Sequence, residues 1–149
     1  MNSQMAFYIL IAVLVGGLGG IHIPMNGALG ARINSALVAT FVLFGIAFLL
    51  IAVTVLLTFD RQAFRALRTV PTWFFLAGVI SVVVVGSNTF LIPRVGAMNM
   101  FALVIASQML VRMVISHYGW FELPVSLITW PRAVGALFLV GGAVLVVRN

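Results

Sequence analysis

The 149-residue chain has no cysteine, no lysine and only two acidic residues, Asp60 and Glu122. Without cysteine there is no disulfide, no thiolate nucleophile and no thiolate metal site. Without paired carboxylates the usual general acid/base couple is missing. No HExxH or comparable spacing supplies a set of metal ligands. Ser116 and His117 are adjacent, yet no GxSxG-like turn or nearby acid completes a triad. Gly17-Leu18-Gly19 lies inside an apolar run, not between a strand and a helix, so it makes no phosphate-binding loop. The expectation from these absences is a protein that is not an enzyme and uses neither cofactor nor metal.

Charge is scarce as well. Charged residues make up 7% of the chain and hydrophobic ones 64%, where a soluble domain carries about 25% and about 45–50%. With a mean hydropathy of +1.27, there is too little polar surface to keep a globule wet. The composition is that of an integral membrane protein. The first four residues carry no positive charge, so no removable signal sequence is expected. The net charge of +6 comes from eight arginines scattered between apolar runs. Lipid headgroups and topology account for that scatter better than nucleic acid, which is not expected as a partner.

What the sequence does have is long apolar runs. Five qualify as membrane spans: Met5–Pro24, Leu37–Thr58, Trp73–Ile92, Met98–Ser116 and Pro131–Val147, each near the roughly 20 residues a spanning helix needs. The runs are continuously apolar, not alternating as barrel strands would be. The fold class is therefore an all-α membrane protein of five transmembrane helices, one domain over residues 1–149. Pro24 either ends the first helix or kinks one that continues to Ile33. Asn34-Ser35 is placed to cap the second helix, and Pro71 precedes the third. Pro93-Arg94-Val95-Gly96 predicts a short hairpin that makes the third and fourth helices antiparallel neighbours.

Alternating the spans puts Arg61, Arg65, Arg68 and Arg132 on one side of the membrane and Arg32, Arg94 and Arg148 on the other. Arg112 lies inside the fourth span. The bias is small, four to three or five to three, and it points the N-terminus inward. Tyr8, Trp73, Tyr118, Trp120 and Trp130 map to the arginine-rich side, where aromatic rings anchor at the interface.

The polar residues within the spans are the candidates for function. Gln108, Arg112 and Ser116 share one helix face at i, i+4 and i+8. An arginine at membrane depth costs several kcal/mol unless it snorkels, pairs or faces water. Arg112 either snorkels toward the headgroups and Glu122, or lines a watery substrate path with Gln108. Asn88 needs an interhelical or ligand partner, whereas Ser81 is expected to bond back to its own helix. His22, Pro24 and Asn26 cluster near the end of the first span. The candidate substrate-binding residues are thus His22, Asn26, Asn88, Gln108 and Arg112. Gly16 and Gly20 form a GxxxG pattern that serves packing within the chain or dimerisation.

Three stretches carry a resemblance. Pro24-x-Asn26-Gly27-x-Leu29-Gly30, Pro93-Arg94-Val95-Gly96-Ala97 and Gln108…Ser116-His117-Tyr118-Gly119, in that order, resemble the YdcZ-like five-helix proteins of the drug/metabolite transporter superfamily. The resemblance runs over essentially the whole chain. It implies a multi-pass bacterial inner-membrane transporter of small molecules, assembled from two oppositely oriented five-helix halves. Two positions depart from the family pattern: Ser116 stands where an aspartate is usual, and Arg112 where a small or apolar residue is.

An odd number of helices independently fits half of an inverted-repeat bundle with a midplane site. The expected assembly is an antiparallel homodimer, or a pair with a homologous inverted partner, embedded in lipid and working by alternating access. A neutral or anionic metabolite suits Arg112 better than a cation does. The other reading is a structural or accessory subunit of a larger membrane complex.

Overall fold

The structure is a computed structural model that describes residues 3–148, and among these it is helical without a strand. Five helices are long and apolar enough to cross a membrane. Helix α1 spans Ser3–Arg32 and α2 spans Ala36–Leu57. A short helix α3, Arg61–Ala66, follows, and then α4, Leu76–Val95. The last two are α5, Ala97–Tyr118, and α6, Trp130–Arg148.

Helix α1 runs on through Pro24. The proline lacks an N–H and crowds the carbonyl four residues back, and that residue is Gly20, which has no side chain to compound the crowding. At a rise of 1.5 Å per residue, α1 is about 45 Å long. A hydrocarbon core is about 30 Å thick, so the helix must tilt or project from it.

A tight link joins α1 to α2. Asn34 adopts a left-handed φ of 53°, which asparagine tolerates better than most residues. The Ser35 N–H returns to the Gly30 carbonyl at 3.0 Å, and the Ser35 hydroxyl accepts from the Val38 N–H at 3.2 Å as the cap of α2. At the far end of α2, Asp60 caps α3 by accepting from the Gln62 and Ala63 N–H groups at 2.8 and 3.1 Å. That acid is spent on local structure. A turn of 3-10 helix, Thr72–Phe75, follows Pro71 and leads into α4.

The stretch Pro93-Arg94-Val95 is not a loop. Helix α4 continues to Val95 and only Gly96, at φ 86°, separates it from α5. Pro93 sits in the last turn and has no N–H to offer the Thr89 carbonyl four residues back.

The chain divides after Arg94 into two compact units. In the first, α1, α2 and α4 converge on small residues. A methyl built on Gly27 would lie 2.9 Å from Ile92 Cγ2, and one on Gly30 would lie 2.9 Å from Thr89 Cγ2 and 3.3 Å from Ala36 Cα. The absence of these Cβ atoms is what lets the helices approach. Gly16 and Gly20, by contrast, have nothing within 4 Å of such a methyl. The close packing within the chain therefore falls to Gly27 and Gly30, not to the GxxxG pair.

In the second unit α5 packs against α6, with Met100, Ala106, Ala136 and Ala143 buried. Helix α5 ends at Gly119, whose φ of 63° is left-handed and whose N–H returns to the Ile115 carbonyl. Large apolar side chains are mostly exposed, as at Phe41 and Leu57. Lipid covers such a surface, so tight contacts and hydrogen bonds, not exclusion of water, hold the helices together.

Candidate functional site

The buried polar residues of the described chain are Asn26, Thr40, Asn88 and Thr89, and all four belong to the first unit. Thr89 on α4 is 1% exposed. Its hydroxyl donates to the Val85 carbonyl of its own helix at 2.8 Å and accepts from the Asn26 amide of α1 at 2.6 Å. Thr40 on α2 lies 3.4 Å away, oxygen to oxygen. Its single hydroxyl proton has the shorter choice of the Ala36 carbonyl at 2.8 Å. Three membrane helices thus meet on one hydroxyl group.

Asn88 differs from its neighbours. It is 7% exposed, and its side chain makes no hydrogen bond to another described side chain or backbone group. No sealed side-chain nitrogen or oxygen in the described structure lacks a partner, so the Asn88 amide keeps an opening from the protein. An amide has two donor hydrogens and an acceptor oxygen to offer through it.

A cavity of about 560 Å³ lies in the same unit, between the α1–α2 link and the end of α4. Asn34, Ser35, Thr89 and Arg94 are its polar lining. Its size is within the roughly 300–1,000 Å³ of small-molecule sites. Thr89 is six residues from the end of α4, about 9 Å along the helix. The cavity thus leads from the end of the helices inward to the buried cluster. Arg94 stacks its guanidinium 3.6 Å from the Phe90 ring centroid and donates to the Phe90 carbonyl. The remaining guanidinium N–H groups have no partner among the described residues.

The second unit holds a separate, mostly apolar pocket of about 180 Å³ lined by Met109, Arg112, Met113, Ser116, Ser126, Ile128 and Arg132. Arg112 donates to the Gln108 side-chain oxygen at 3.3 Å. The partner of Arg112 is therefore one turn back on α5, not Glu122. Arg132 uses one nitrogen to donate to the Ser126 hydroxyl at 2.6 Å and the Leu127 carbonyl at 2.7 Å. The loop after α5 is tied down further: the Ser126 N–H reaches the Ser116 carbonyl at 2.8 Å, and the Ile128 N–H reaches His117 Nδ1 at 3.2 Å.

Of the residues singled out from sequence, Asn26 joins the buried cluster and Asn88 stands beside Thr89 on α4. Gln108 and Arg112 pair on α5. His22 lies exposed on α1, one turn before Asn26. Sequence reasoning passed over Thr40, Thr89, Ser126 and Arg132. Isolated threonines in an apolar helix read as back-bonded to their own turn, and both threonines are so bonded. Only the cross-helix contacts on Thr89, from Asn26 across 63 positions and from Thr40 across 49, reveal their second use.

One family model, described as "Putative inner membrane exporter, YdcZ", matches residues 7–145. Searches of curated proteins and of solved structures found no match.

Proposed function

We propose how a chain that belongs to the YdcZ family of inner membrane exporters, as this one does, handles its cargo. The protein is a multi-pass inner membrane protein with five spanning helices. In our reading it is half of a transport unit. It pairs with an inverted second copy, or with a homologous inverted partner, and moves a small neutral or anionic molecule by alternating access.

The observation that carries this reading is Asn88. A buried amide without a hydrogen-bond partner is expensive in hydrocarbon. Beside it, Thr89 links the cluster of Asn26 and Thr40 to a cavity large enough for a metabolite. Asn88 is not among the residues lining this cavity; in this reading its amide supplies substrate hydrogen bonds from the neighbouring position on α4, where Asn26 and Thr89 are already committed to each other. Anions and neutral polar molecules fit better than cations, because the charged member of the cavity is Arg94 and no carboxylate lines it.

The test is uptake into everted membrane vesicles from cells making the full chain or its Asn88→Leu variant. Extracts of neutral and anionic metabolites serve as the source, and mass spectrometry reads the vesicle contents. At least one metabolite should accumulate with the wild type and not with Asn88→Leu at equal protein. Identical vesicle contents for wild type, Asn88→Leu and empty membranes would refute the reading.

A further inference from the structure

We infer that the pocket between the end of α5 and the start of α6 is an oxyanion site, formed by Arg112 and Arg132 with Ser116 and Ser126. Two guanidinium groups line one pocket of about 180 Å³, and neither Asp60 nor Glu122 is among its lining residues. Both arginines are exposed, so water weakens their mutual repulsion, and an anion entering the pocket would remove what remains of it.

The donor inventory points the same way. Each guanidinium carries five N–H groups. Arg132 commits one nitrogen to Ser126 and Leu127, and Arg112 commits one to Gln108. The Ser126 oxygen accepts from Arg132, which leaves its own hydrogen to donate. The Ser116 hydroxyl makes no bond within the described chain. The pocket is therefore rich in donors and poor in acceptors, the inverse of what a cation needs.

Arg132 is also held in place. Its bonds to Ser126 and Leu127, with the Ser126–Ser116 and Ile128–His117 ties, fix the loop and the guanidinium together. Preorganised donors of this kind lose little entropy on binding. The volume, below the roughly 300 Å³ at which drug-sized sites begin, suits a single phosphate- or carboxylate-sized group.

Tyr118, Trp120 and Trp130 stand around these helix ends, the residue types that mark the level of lipid headgroups. The oxyanion is thus either the phosphate of an anionic lipid or that of a free solute. Such a site deepens the exporter reading and rests on it for any use in transport. Binding is measured without flux, so either can fail while the other stands.

The experiment uses the full chain purified in uncharged detergent, with two probes. Native mass spectrometry reads retention of phosphatidylglycerol against phosphatidylcholine. A thermal shift titration reads inorganic phosphate against chloride at matched ionic strength. The wild type should retain phosphatidylglycerol preferentially, or be stabilised saturably by phosphate. Arg112→Gln should weaken that binding about tenfold, as loss of a charge-assisted hydrogen bond does. Arg112→Lys should restore part of it. Arg148→Gln, at the other end of α6, should leave it unchanged.

Arg132→Gln is read only alongside its thermal stability, because Arg132 also holds the loop. A lipid-only response assigns the site to a headgroup and a phosphate response assigns it to a solute; either supports the oxyanion site. The inference is overturned by no preference for either anionic probe, by Arg112→Gln binding like wild type, or by Arg148→Gln weakening binding equally.

Discussion

Replacing Thr89 by valine removes one hydroxyl and keeps nearly the same shape, so it tests whether the buried cluster holds the first unit together. In the native protein the Asn26 amide donates to Thr89 Oγ1 at 2.6 Å, and the two residues are 5% and 1% exposed. Valine strands that amide. Thr40 keeps its shorter bond to the Ala36 carbonyl, so the cost concentrates on Asn26. A buried donor left unpaired costs about 1–3 kcal/mol. Measured couplings between membrane helices average about 0.6 kcal/mol and reach about 1.7. The short distance and full burial place this pair at the upper end, so a coupling of about 1–2 kcal/mol is expected. The assay is a double-mutant cycle of Thr89→Val, Asn26→Ala and the double variant. Reversible unfolding would be followed in mixed micelles of dodecylmaltoside and dodecyl sulfate. Thr89→Val should be clearly destabilising in the wild-type background and nearly neutral once Asn26 is alanine. A coupling below about 0.5 kcal/mol, the scatter of independent sites, would show that the contact does not bind the helices.

Other consequences separate packing from binding. Gly30→Ala places a methyl 2.9 Å from Thr89 Cγ2 and 3.3 Å from the Ala36 backbone, so it should destabilise by about 1–3 kcal/mol; Gly16→Ala meets nothing and should be neutral or slightly stabilising in the same unfolding assay. Asn88→Leu breaks no hydrogen bond within the described chain, so micellar stability should hold or rise while vesicle uptake is lost, whereas a large loss of stability would make Asn88 structural. Gly119→Ala forces a φ of 63° on a residue with a Cβ and places that Cβ 2.8 Å from Val125 Cγ2. It should cost more than the roughly 1–2 kcal/mol of the left-handed backbone alone and increase proteolysis between residues 119 and 129. The chain has no native cysteine, so single cysteines at Gln62 and, separately, at Arg148 can be labelled with an impermeant maleimide on intact cells. Half-labelling at both sites fits a self-inverting pair, and labelling at Arg148 alone rules out the homodimer in favour of an inverted partner.

Spans and caps are legible in this sequence because their physics is local. Apolar runs, the Ser35 cap and the back-bond of Ser81 to the Ala77 carbonyl each depend on residues within a few positions. The site is less legible because it depends on coincidence between distant helices. Asn26 and Asn88 stand out by composition alone, as amides in oil. Thr89 does not, because a threonine can satisfy itself on its own helix, and nothing in its local sequence says that Asn26 will meet it. Glycines mislead for a related reason. Gly16 and Gly20 have the recognised spacing, yet Gly27 and Gly30 face neighbouring helices, and only the packing of α1, α2 and α4 shows which pair has no room for a methyl. The sequence leaves Pro24 either ending or kinking the first helix and places Pro93 in a hairpin. In α1 and α4 both prolines lie within helices, because a membrane leaves the chain no better place to satisfy its backbone.

The two polar regions differ in chemistry, and that difference bears on transport. The first unit offers amides and hydroxyls, which bind neutral groups as readily as charged ones and release them without a large desolvation penalty. The second offers guanidiniums, which bind anions strongly and are screened by salt only where they are exposed. A carrier must hold its cargo tightly enough to select it and loosely enough to let it go. Hydrogen bonds to the Asn88 amide suit the second demand. The two arginines suit the first, or serve to moor the helix ends to anionic lipid. The salt dependence of uptake distinguishes these roles. If the arginines select the cargo, uptake falls as salt rises and Arg112→Gln abolishes that dependence. If they moor the protein to lipid, uptake follows the anionic lipid content of the vesicle while the choice of cargo stays with the amides.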